Sequence, residues 1–295
     1  MKLTQLRDLM AIVERGSLRA AARHLGQPQP ALTRSIHALE RELGEPLFER
    51  TAKGMTLTAA GRLFHQRASS VLNELKRAQD ELAQRRGDMR GTVVAGLSIM
   101  PHMGPLPHVL PRFKAEFPHI RLKIIEGLYP VMERGLRDGS IDFYVGACPY
   151  TTPAAGLLTE VLGHNLRSVV GRRGHPLSGA KSLAQLTRAE WAVTSINVNA
   201  EEDLQRLFAR HRLPAPEVTL HAHSSMTIMT ALANTDLLAL LPVQWQSALI
   251  HPDALAAIAV KEVLAAPDVV LIRRAELPMT PAAERFCELM RRYVQ

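Results

Sequence analysis

The sequence has few cysteines and no long apolar run, and these two absences exclude several classes of protein. Cys148 and Cys287 are the only cysteines among 295 residues, which is too few for a disulfide-stabilised scaffold. No run of about 18 consecutive apolar residues occurs, so the sequence predicts no membrane-spanning helix. Charged residues interrupt the N-terminal stretch, which lacks the apolar segment of a signal peptide. We therefore expect a cytoplasmic protein without a membrane partner.

Positive charge is concentrated at the N-terminal end. The composition, 46% hydrophobic and 22% charged residues, is typical of folded globular domains, and the formal net charge is +8. The first 90 residues hold 16 Lys and Arg against 10 Asp and Glu, whereas the remaining residues hold 20 against 18. A basic excess confined to one segment favours a polyanion, such as a nucleic acid, as its partner.

Three segments near the N-terminus combine helical spacing of apolar residues with glycines that end helices. Spacings of three and four residues predict amphipathic helices, which Gly16, Gly26 and Gly44 end. Ser17 is placed to cap the second helix. The apolar positions are Leu3, Leu6, Met10 and Val13 in the first helix and Leu32, Ile36, Leu39 and Leu43 in the third. Three short helices with a glycine turn between the second and third indicate a helix-turn-helix.

The third of these helices has a polar face opposite its apolar stripe. Pro30, Arg34, His37 and Arg41 lie on that face, with Thr33 on its flank. One interpretation is that the face is merely solvated. The other, favoured by the turn-rich stretch that follows, is that its side chains read base edges and phosphates in a DNA major groove.

A turn-rich stretch and a long helix come next. The stretch EPLFERTAKGMTLT (45–58) places apolar residues around a Lys53-Gly54 turn and predicts a small β-wing. Thr58 is placed to cap a helix that reaches Arg86. Apolar residues repeat at heptad spacing along this helix, which favours dimerisation over packing within the chain. They are Phe64, Ala68, Val71, Leu75, Ala78 and Leu82.

Beyond residue 91 the pattern changes to strands that alternate with helices. The segments 92–98, 120–127 and 141–147 are typical of strands, and helical segments separate them. A second run of this kind spans 166–242, and the chain closes with a strand and a helix within 268–293. This alternation predicts parallel sheets covered by helices. We therefore expect two α/β lobes with a ligand cleft between them.

Short motifs in register point to a known family. They are QPALT (29–33), LERELG (39–44), LFER (47–50) and LTAAG (57–61). Together they resemble the N-terminal domain of the LysR-type transcriptional regulators, and the downstream pattern resembles the effector domain of that family. The stretches GLYPVMERGLRDGSIDF (127–143) and LPMTPAA (277–283) are most similar to the branch that includes toluenesulfonate-type regulators.

The resemblance implies an architecture and a function. The expected parts are a winged helix-turn-helix over 1–58, a linker and dimerisation helix over 59–90, and a two-lobed, periplasmic-binding-protein-like effector domain over 91–295. Lobe I would cover about 91–161 and 267–295, and lobe II about 162–266. Such a protein binds promoter DNA as a homodimer or homotetramer, responds to a small organic effector in the interlobe cleft, and is not an enzyme.

The resemblance and the polar face together nominate DNA-binding residues. Ser17 and Arg50 would hold phosphates, and Lys53 would contact the backbone or the minor groove from the wing. The full set is Ser17, Gln29, Pro30, Thr33, Arg34, His37, Arg50 and Lys53. One departure is Pro28, which stands where the family has Ser or Thr and offers no capping oxygen. We also expect Pro30 to bias Gln29 away from helical backbone angles.

The effector site is expected where strands of the two lobes end. Ser98 follows a strand and opens a helix, and Thr194, Ser195 and Asn197 follow a strand in the second lobe. Two helix N-termini would then hold an anionic effector, a carboxylate or sulfonate, without an arginine. Met100 and Tyr129 would supply an apolar wall. The alternative is that Ser98 and Ser195 only cap helices.

Three rival functions remain open at this stage. A solute-binding module would share the two lobes, and a thiol redox sensor would use Cys148 and Cys287. A hydrolase would need more than Ser98 and His102, because no nucleophile-elbow motif surrounds the serine. His221 and His223 lack a nearby third ligand for zinc. We therefore expect no metal, no cofactor and no catalytic residues.

Overall fold

The computed structural model describes residues 1–51, 54–149, 151–194, 200–244 and 253–294, the side chain of Arg50 excepted. The helices are α1 Leu3–Arg15, α2 Leu18–Leu25, α3 Gln29–Leu43, α4 Ala59–Arg85, α5 Ile99–Met103, α6 Leu106–Glu116, α7 Tyr129–Asp138, α8 Ala200–Arg210, α9 Ser225–Asn234 and α10 Pro281–Tyr293. The strands are β1 Phe48–Thr51, β2 Gly54–Leu57, β3 Gly91–Leu97, β4 Ile120–Glu126, β5 Phe143–Ala147, β6 Leu157–Arg172, β7 Glu190–Thr194, β8 Glu217–Ala222, β9 Ala239–Pro242, β10 Leu255–Ile258 and β11 Ala265–Arg274. None of the described helices is long and apolar enough to cross a bilayer.

The three N-terminal helices form as the apolar spacing predicts. Gly16 and Gly26 adopt left-handed backbone angles that end α1 and α2, a conformation that costs glycine little. The Ser17 hydroxyl accepts a hydrogen bond from the Ala20 amide at 3.2 Å and so caps α2. The buried side chains of α3 are Leu32, Ile36 and Leu39. Leu43, the fourth apolar residue of the predicted stripe, is exposed because it ends the helix beyond the core.

The start of α3 differs from the expectation for Gln29. Gln29 is the first helical residue, although proline follows it. The Pro28 carbonyl accepts hydrogen bonds from the amides of Ala31 and Leu32, so the first turn closes without a side-chain cap. Pro30 sits in this turn, where its missing N–H would have no helical acceptor. The helix therefore begins where the motif begins.

The wing and the start of α4 pack tightly against each other. Strands β1 and β2 pair antiparallel, with Phe48 opposite Leu57. Thr58 caps α4 by accepting a hydrogen bond from the Gly61 amide at 2.9 Å, and its own amide donates to the Leu47 carbonyl. A Cβ on Gly61 would lie 2.9 Å from the carbonyl carbon of Leu47 and closer still to the oxygen. Only glycine allows this approach, which explains the Thr-x-x-Gly spacing of the motif.

The heptad positions of α4 divide into two groups. Ala68 is buried in the core of the N-terminal helices, and Phe64 packs against the same core. Val71 and Leu82 are 52% and 56% exposed. The first part of the predicted seam therefore packs within its own chain, and the later part presents apolar side chains to solvent.

The first lobe is a mixed sheet with helices on both faces. The strand order is β6-β11-β5-β3-β4, with β3 parallel to β4 and β5. Helices α6 and α10 cover one face, where Phe113 meets Phe286 edge-on with ring centroids 5.1 Å apart. Helix α7 covers the other, where Tyr129 packs against Tyr144. The predicted parallel arrangement is present in β3, β4 and β5, whereas the closing strand β11 runs antiparallel to β5 because the chain returns from the second lobe.

The second lobe is joined to the first by two long strands. The N-terminal half of β6 pairs with β11, and its C-terminal half pairs with β9 and β10, all antiparallel. The parallel pair β7-β8 and helices α8 and α9 complete the lobe around Trp191 and Phe208. Sequence reasoning missed β10 and the first half of β6. The helical segment expected between β6 and β7 is a 3-10 helix of four residues, Leu183–Leu186.

Candidate DNA interface and effector cavity

The polar face of α3 is open to solvent. The side chains of Gln29, Pro30, Arg34 and His37 are exposed, whereas Thr33 is half-buried and its hydroxyl donates to the Gln29 carbonyl at 3.0 Å. His37 Nδ1 lies 3.2 Å from Glu40 Oε2. The face therefore presents a guanidinium, an amide and an imidazole on one rigid helix, which suits contacts with base edges.

Two carboxylates hold α3 in its place. Asp8 on α1 is buried and accepts hydrogen bonds from Ser35 on α3 and from Gln27 in the turn before it. Glu40 Oε1 accepts from the amides of Leu47, at 2.8 Å, and Phe48, so α3 is also tied to the base of the wing. Neither carboxylate was among the predicted site residues, because nothing in the local pattern shows that they meet these distant groups.

The other nominated DNA contacts are only partly described. Ser17 caps α2 as an acceptor, which leaves its hydroxyl proton available for a phosphate. The side chain of Arg50 and the whole of Lys53 lie outside the described residues. Their contacts with DNA stay predictions.

A cavity of about 130 Å³ lies between the two lobes at the ends of their strands. Ser98, Leu128 and Ala147 line it where β3, β4 and β5 end, and Thr194 lines it where β7 ends. Such a position, outside the carboxyl ends of parallel strands, is where open α/β sheets bind ligands. The structure thus brings together Ser98, Met100 and Thr194 from the predicted set. Ser195 and Asn197 lie outside the described residues.

Tyr129 does not join this group. Its side chain is buried between α7 and the sheet of the first lobe, where it is 2% exposed. Its hydroxyl accepts a hydrogen bond from the Ala154 amide at 3.3 Å. The ring packs against Tyr144 rather than lining the cavity. The position after β4 that faces the cavity is held by its neighbour Leu128. Because Tyr129 starts α7, the helix turns its ring inward onto the sheet.

Ser98 does not cap the helix that follows it. It occupies the N-cap position of α5, but its hydroxyl makes no capping hydrogen bond. The Oγ atom is buried close to the Tyr144 hydroxyl and makes no hydrogen bond of normal geometry with the described residues. Gly146 leaves room for it, since a Cβ there would lie 2.6 Å from Ser98 Oγ. His102 contacts the Ser98 carbonyl oxygen at 2.8 Å, not the hydroxyl, so the two residues do not form a nucleophile-base pair.

Three polar residues of the cavity were missed by sequence reasoning. Asn165 and Arg167 lie on β6, and Asp203 lies on α8. Asn165 is buried, and its Oδ1 has no hydrogen-bond partner in the described part of the chain. Arg167 donates to the Ala265 carbonyl at 2.9 Å. Only the strand pairing places Asn165 beside Ala266 at the cavity, so no local motif could have indicated it.

The expected pair of helix N-termini aimed at an anion stays a prediction, because residues 195–199 lie outside the described part of the chain, and two described features weigh against it. Helix α5 has five residues, so few peptide dipoles are aligned at Ser98. Helix α8 carries Glu201, Glu202 and Asp203 in its first turn, and these carboxylates already meet the positive end of its dipole. The structure also places Arg167 in the cavity lining, a residue that the prediction of a site without arginine did not include.

The remaining candidates show no reactive arrangement. Burial raises the pKa of the Cys148 thiol, and the Asp268 carboxylate adds to this; burial also raises the pKa of Cys287 well above its usual range. The two thiols belong to different clusters on opposite faces of the first lobe's sheet. His221 pairs with Glu201 at 3.2 Å. Within the described ranges, no three His, Cys, Asp or Glu side chains are grouped to hold a metal.

Comparison with known proteins identifies both parts of the chain. Residues 3–62 match the family of bacterial regulatory helix-turn-helix proteins of the lysR family, and residues 86–295 match the LysR substrate binding domain. The second match alone covers more than half of the chain.

Curated relatives carry the same description. The HTH-type transcriptional regulator CbbR of Xanthobacter flavus is 30% identical over 230 residues, which are 77% of this chain and 68% of CbbR. The HTH-type transcriptional regulator GalR of Pseudomonas putida is 30% identical over 236 residues, 80% of this chain. That aligned region spans only 59% of the length of GalR. These relatives are transcriptional regulators rather than enzymes.

Solved structures share the fold. CbnR, a LysR family transcriptional regulator, superimposes with a TM-score of 0.74 at 24% identity, and 99% of each chain is covered. Full-length CbnR in complex with its target DNA gives a TM-score of 0.72 at 23% identity, again with 99% of each chain covered. The chain therefore belongs to the LysR family of bacterial regulatory helix-turn-helix proteins, and it is a DNA-binding transcriptional regulator with an effector-binding domain.

Proposed function

We propose that this regulator reads promoter DNA with the exposed face of α3 and that its effector is a small organic acid. The observation that carries the first part is the rigid, exposed face that holds Gln29, Arg34 and His37, anchored through Asp8 and Glu40. A carboxylate or sulfonate effector in the interlobe cavity would then change how the subunits are arranged on the DNA. The branch that includes toluenesulfonate-type regulators fits such an anion.

The DNA contacts divide into base readers and phosphate binders. Arg34→Ala should weaken binding to the operator by about 1–3 kcal/mol if the guanidinium reads a base. Lys53→Ala should mainly flatten the salt dependence, because a phosphate contact acts through counterion release. Gel shifts at several salt concentrations separate the two effects. If both variants bind the operator as tightly as the wild type, the assignment of α3 as the reading helix is wrong.

Two polar groups in the cavity favour an anion. The Arg167 guanidinium brings positive charge, and the Ser98 hydroxyl can donate a hydrogen bond, whereas the unpartnered Asn165 Oδ1 would accept one from a donor group of the ligand. Asp203 also lines the cavity, and its contact with Arg206 at 2.8 Å offsets its charge. Met100, Leu128 and the aliphatic side chains of β9 would cover an apolar body. At about 130 Å³ the cavity suits a compact acid.

The effector assignment can be tested with the full-length protein. A thermal-shift screen of small carboxylates and sulfonates selects a ligand, and calorimetry measures its affinity. Ser98→Ala should weaken that ligand about tenfold, since one hydrogen bond to a charged group is lost, and leave DNA binding intact. The matched control is Ser178→Ala, because Ser178 is exposed and away from the cavity lining. The proposal would be contradicted if the wild type, Ser98→Ala and Ser178→Ala bound the selected ligand with equal affinity, or if the ligand proved to be neutral.

The apolar residues left open on α4 support self-association. Val71 and Leu82 are more than half exposed on a 27-residue helix, and a second copy of the helix would cover them. Two subunits would then present two copies of α3 to two half-sites, which is how dimeric helix-turn-helix proteins bind. A homodimer through α4, assembling further into a homotetramer in the cytoplasm, is the arrangement we propose.

A further inference from the structure

A second cavity, of about 410 Å³, adjoins the effector cavity. Its charged lining residues are Arg167, Arg206 and Arg210 together with Asp203 and Asp268, and Cys148 also lines it. We call this space the hinge cavity. It shares Arg167 and Asp203 with the effector cavity, so a single pair of charged side chains borders both spaces.

The hinge cavity lies where the chain passes between the lobes. Arg167 stands on β6 at the point where its pairing changes from β11 to β9. Residues 265–268 belong to the start of β11, the returning strand, and Cys148 follows β5 of the first lobe. Helix α8 contributes from the second lobe. An occupant would therefore touch both lobes and both crossing strands.

One guanidinium at the hinge cavity, that of Arg210, is not paired within the described part of the chain. Arg206 pairs with Asp203 at 2.8 Å and with Glu202 at 3.9 Å, and Asp268 pairs with His164 at 2.9 Å. Arg210 has no ion pair or hydrogen bond with any described residue. It lies one helical turn after Arg206 on the same face of α8, and like charges at this spacing repel each other. An anion between the two guanidiniums would remove this repulsion.

We propose that the hinge cavity binds a compact oxyanion between Arg206 and Arg210. Guanidinium groups bind the oxygens of carboxylates and of phosphates through paired N–H donors, so either kind of anion suits this pair of arginines. The oxyanion can be free inorganic phosphate or a second acid group of a ligand that extends from the effector cavity. Because Arg167 borders both cavities, occupation of one changes the affinity of the other, and this coupling acts in both directions.

Calorimetric titration of the full-length protein with inorganic phosphate, at constant ionic strength and without organic acid, tests the free-ion source. We expect saturable binding that Arg210→Gln weakens about tenfold, since a charge-assisted contact is lost. Asp268→Asn should strengthen binding, because it removes a carboxylate that repels the anion. Arg212→Gln is the matched control, since Arg212 is exposed and outside the cavity lining. Because no organic acid is present, the result does not depend on the proposed effector site.

Titration with acetate and succinate tests the second source. If the oxyanion belongs to the effector, Arg210→Gln should weaken succinate about tenfold and leave acetate unchanged. Alkylation of Cys148 gives an independent readout: the anion that binds should slow modification of this thiol, and Cys287 is fully buried. The proposal is overturned if neither phosphate nor succinate binds in a way that depends on Arg210, or if Arg212→Gln has the same effect as Arg210→Gln.

Discussion

The tight contact at Gly61 gives a prediction whose size can be worked from the structure. In Gly61→Ala the new Cβ would overlap the Leu47 carbonyl, with the carbonyl carbon 2.9 Å away and the oxygen closer. The contact is with backbone, so no side chain can rotate to relieve it. The start of α4 must move away from the wing. That movement stretches the hydrogen bonds from the Thr58 amide to Leu47, 3.0 Å, and from the Thr58 hydroxyl to Pro46, 2.7 Å.

The net effect combines one gain and two losses. Replacing glycine by alanine within a helix contributes about 1 kcal/mol of stability. Overpacking costs about 1–3 kcal/mol, and weakening two hydrogen bonds costs about 1 kcal/mol each. We therefore expect Gly61→Ala to lower the free energy of unfolding of the N-terminal unit, residues 1–83, by about 2–4 kcal/mol. Operator affinity should fall with it, because α3 is tied to the same wing through Glu40.

The assay can separate the two parts of the chain. Both tryptophans, Trp191 and Trp245, lie in the effector-binding part of the sequence. Tryptophan fluorescence in a denaturant titration therefore reports the unfolding of the effector-binding part. Helical circular dichroism that is lost at a lower denaturant concentration than the fluorescence change reports the unfolding of the N-terminal unit. Gly179→Ala is the control, since a Cβ there meets nothing within 4 Å. If Gly61→Ala unfolds at the same denaturant concentration as the wild type by both signals, the steric argument is wrong.

Three further predictions follow from other contacts. Val71→Glu places a charge at an exposed apolar position of α4 and should shift the full-length protein towards monomer in sedimentation. The control Lys76→Glu, on the other side of the helix, should leave the dimer intact. A dimer in both variants would refute dimerisation through the apolar positions of α4. Asp8→Ala removes the acceptor of the hydrogen bonds from Ser35 and Gln27 and should destabilise the N-terminal unit by about 2 kcal/mol in the same denaturant titration. An unchanged transition in the helical circular dichroism would show that these two bonds contribute nothing to stability. Because burial and the Asp268 carboxylate raise the pKa of Cys148, its alkylation at neutral pH should be slower than that of a free cysteine. Alkylation should be faster in Asp268→Asn than in the wild type, and equal rates in these two proteins would refute the effect of the carboxylate.

Some of the site could be predicted from sequence because its signals are local. The polar face of α3 follows from a period of 3.6 residues, and Ser17 caps the next helix within three residues of itself. Ser98 could be found because it lies at the end of a strand pattern, and in the structure the strand ends at Leu97 and a helix begins at Ile99. Tyr129 was misplaced because the sequence predicts a helix from Pro130 onward but does not show which way the side chain at the start of that helix turns.

The amino-acid sequence by itself determined the order of the helices, the family, and the presence of two α/β lobes after a long linker helix. These depend on spacing, caps and glycines within a few residues of one another. Only the tertiary structure decided that β11 runs antiparallel, that Asp8 meets Ser35, and that Asn165, Arg167 and Asp203 surround one cavity. Those contacts join residues that are far apart in the chain, and they form because burying the apolar faces of sheets and helices brings distant segments together.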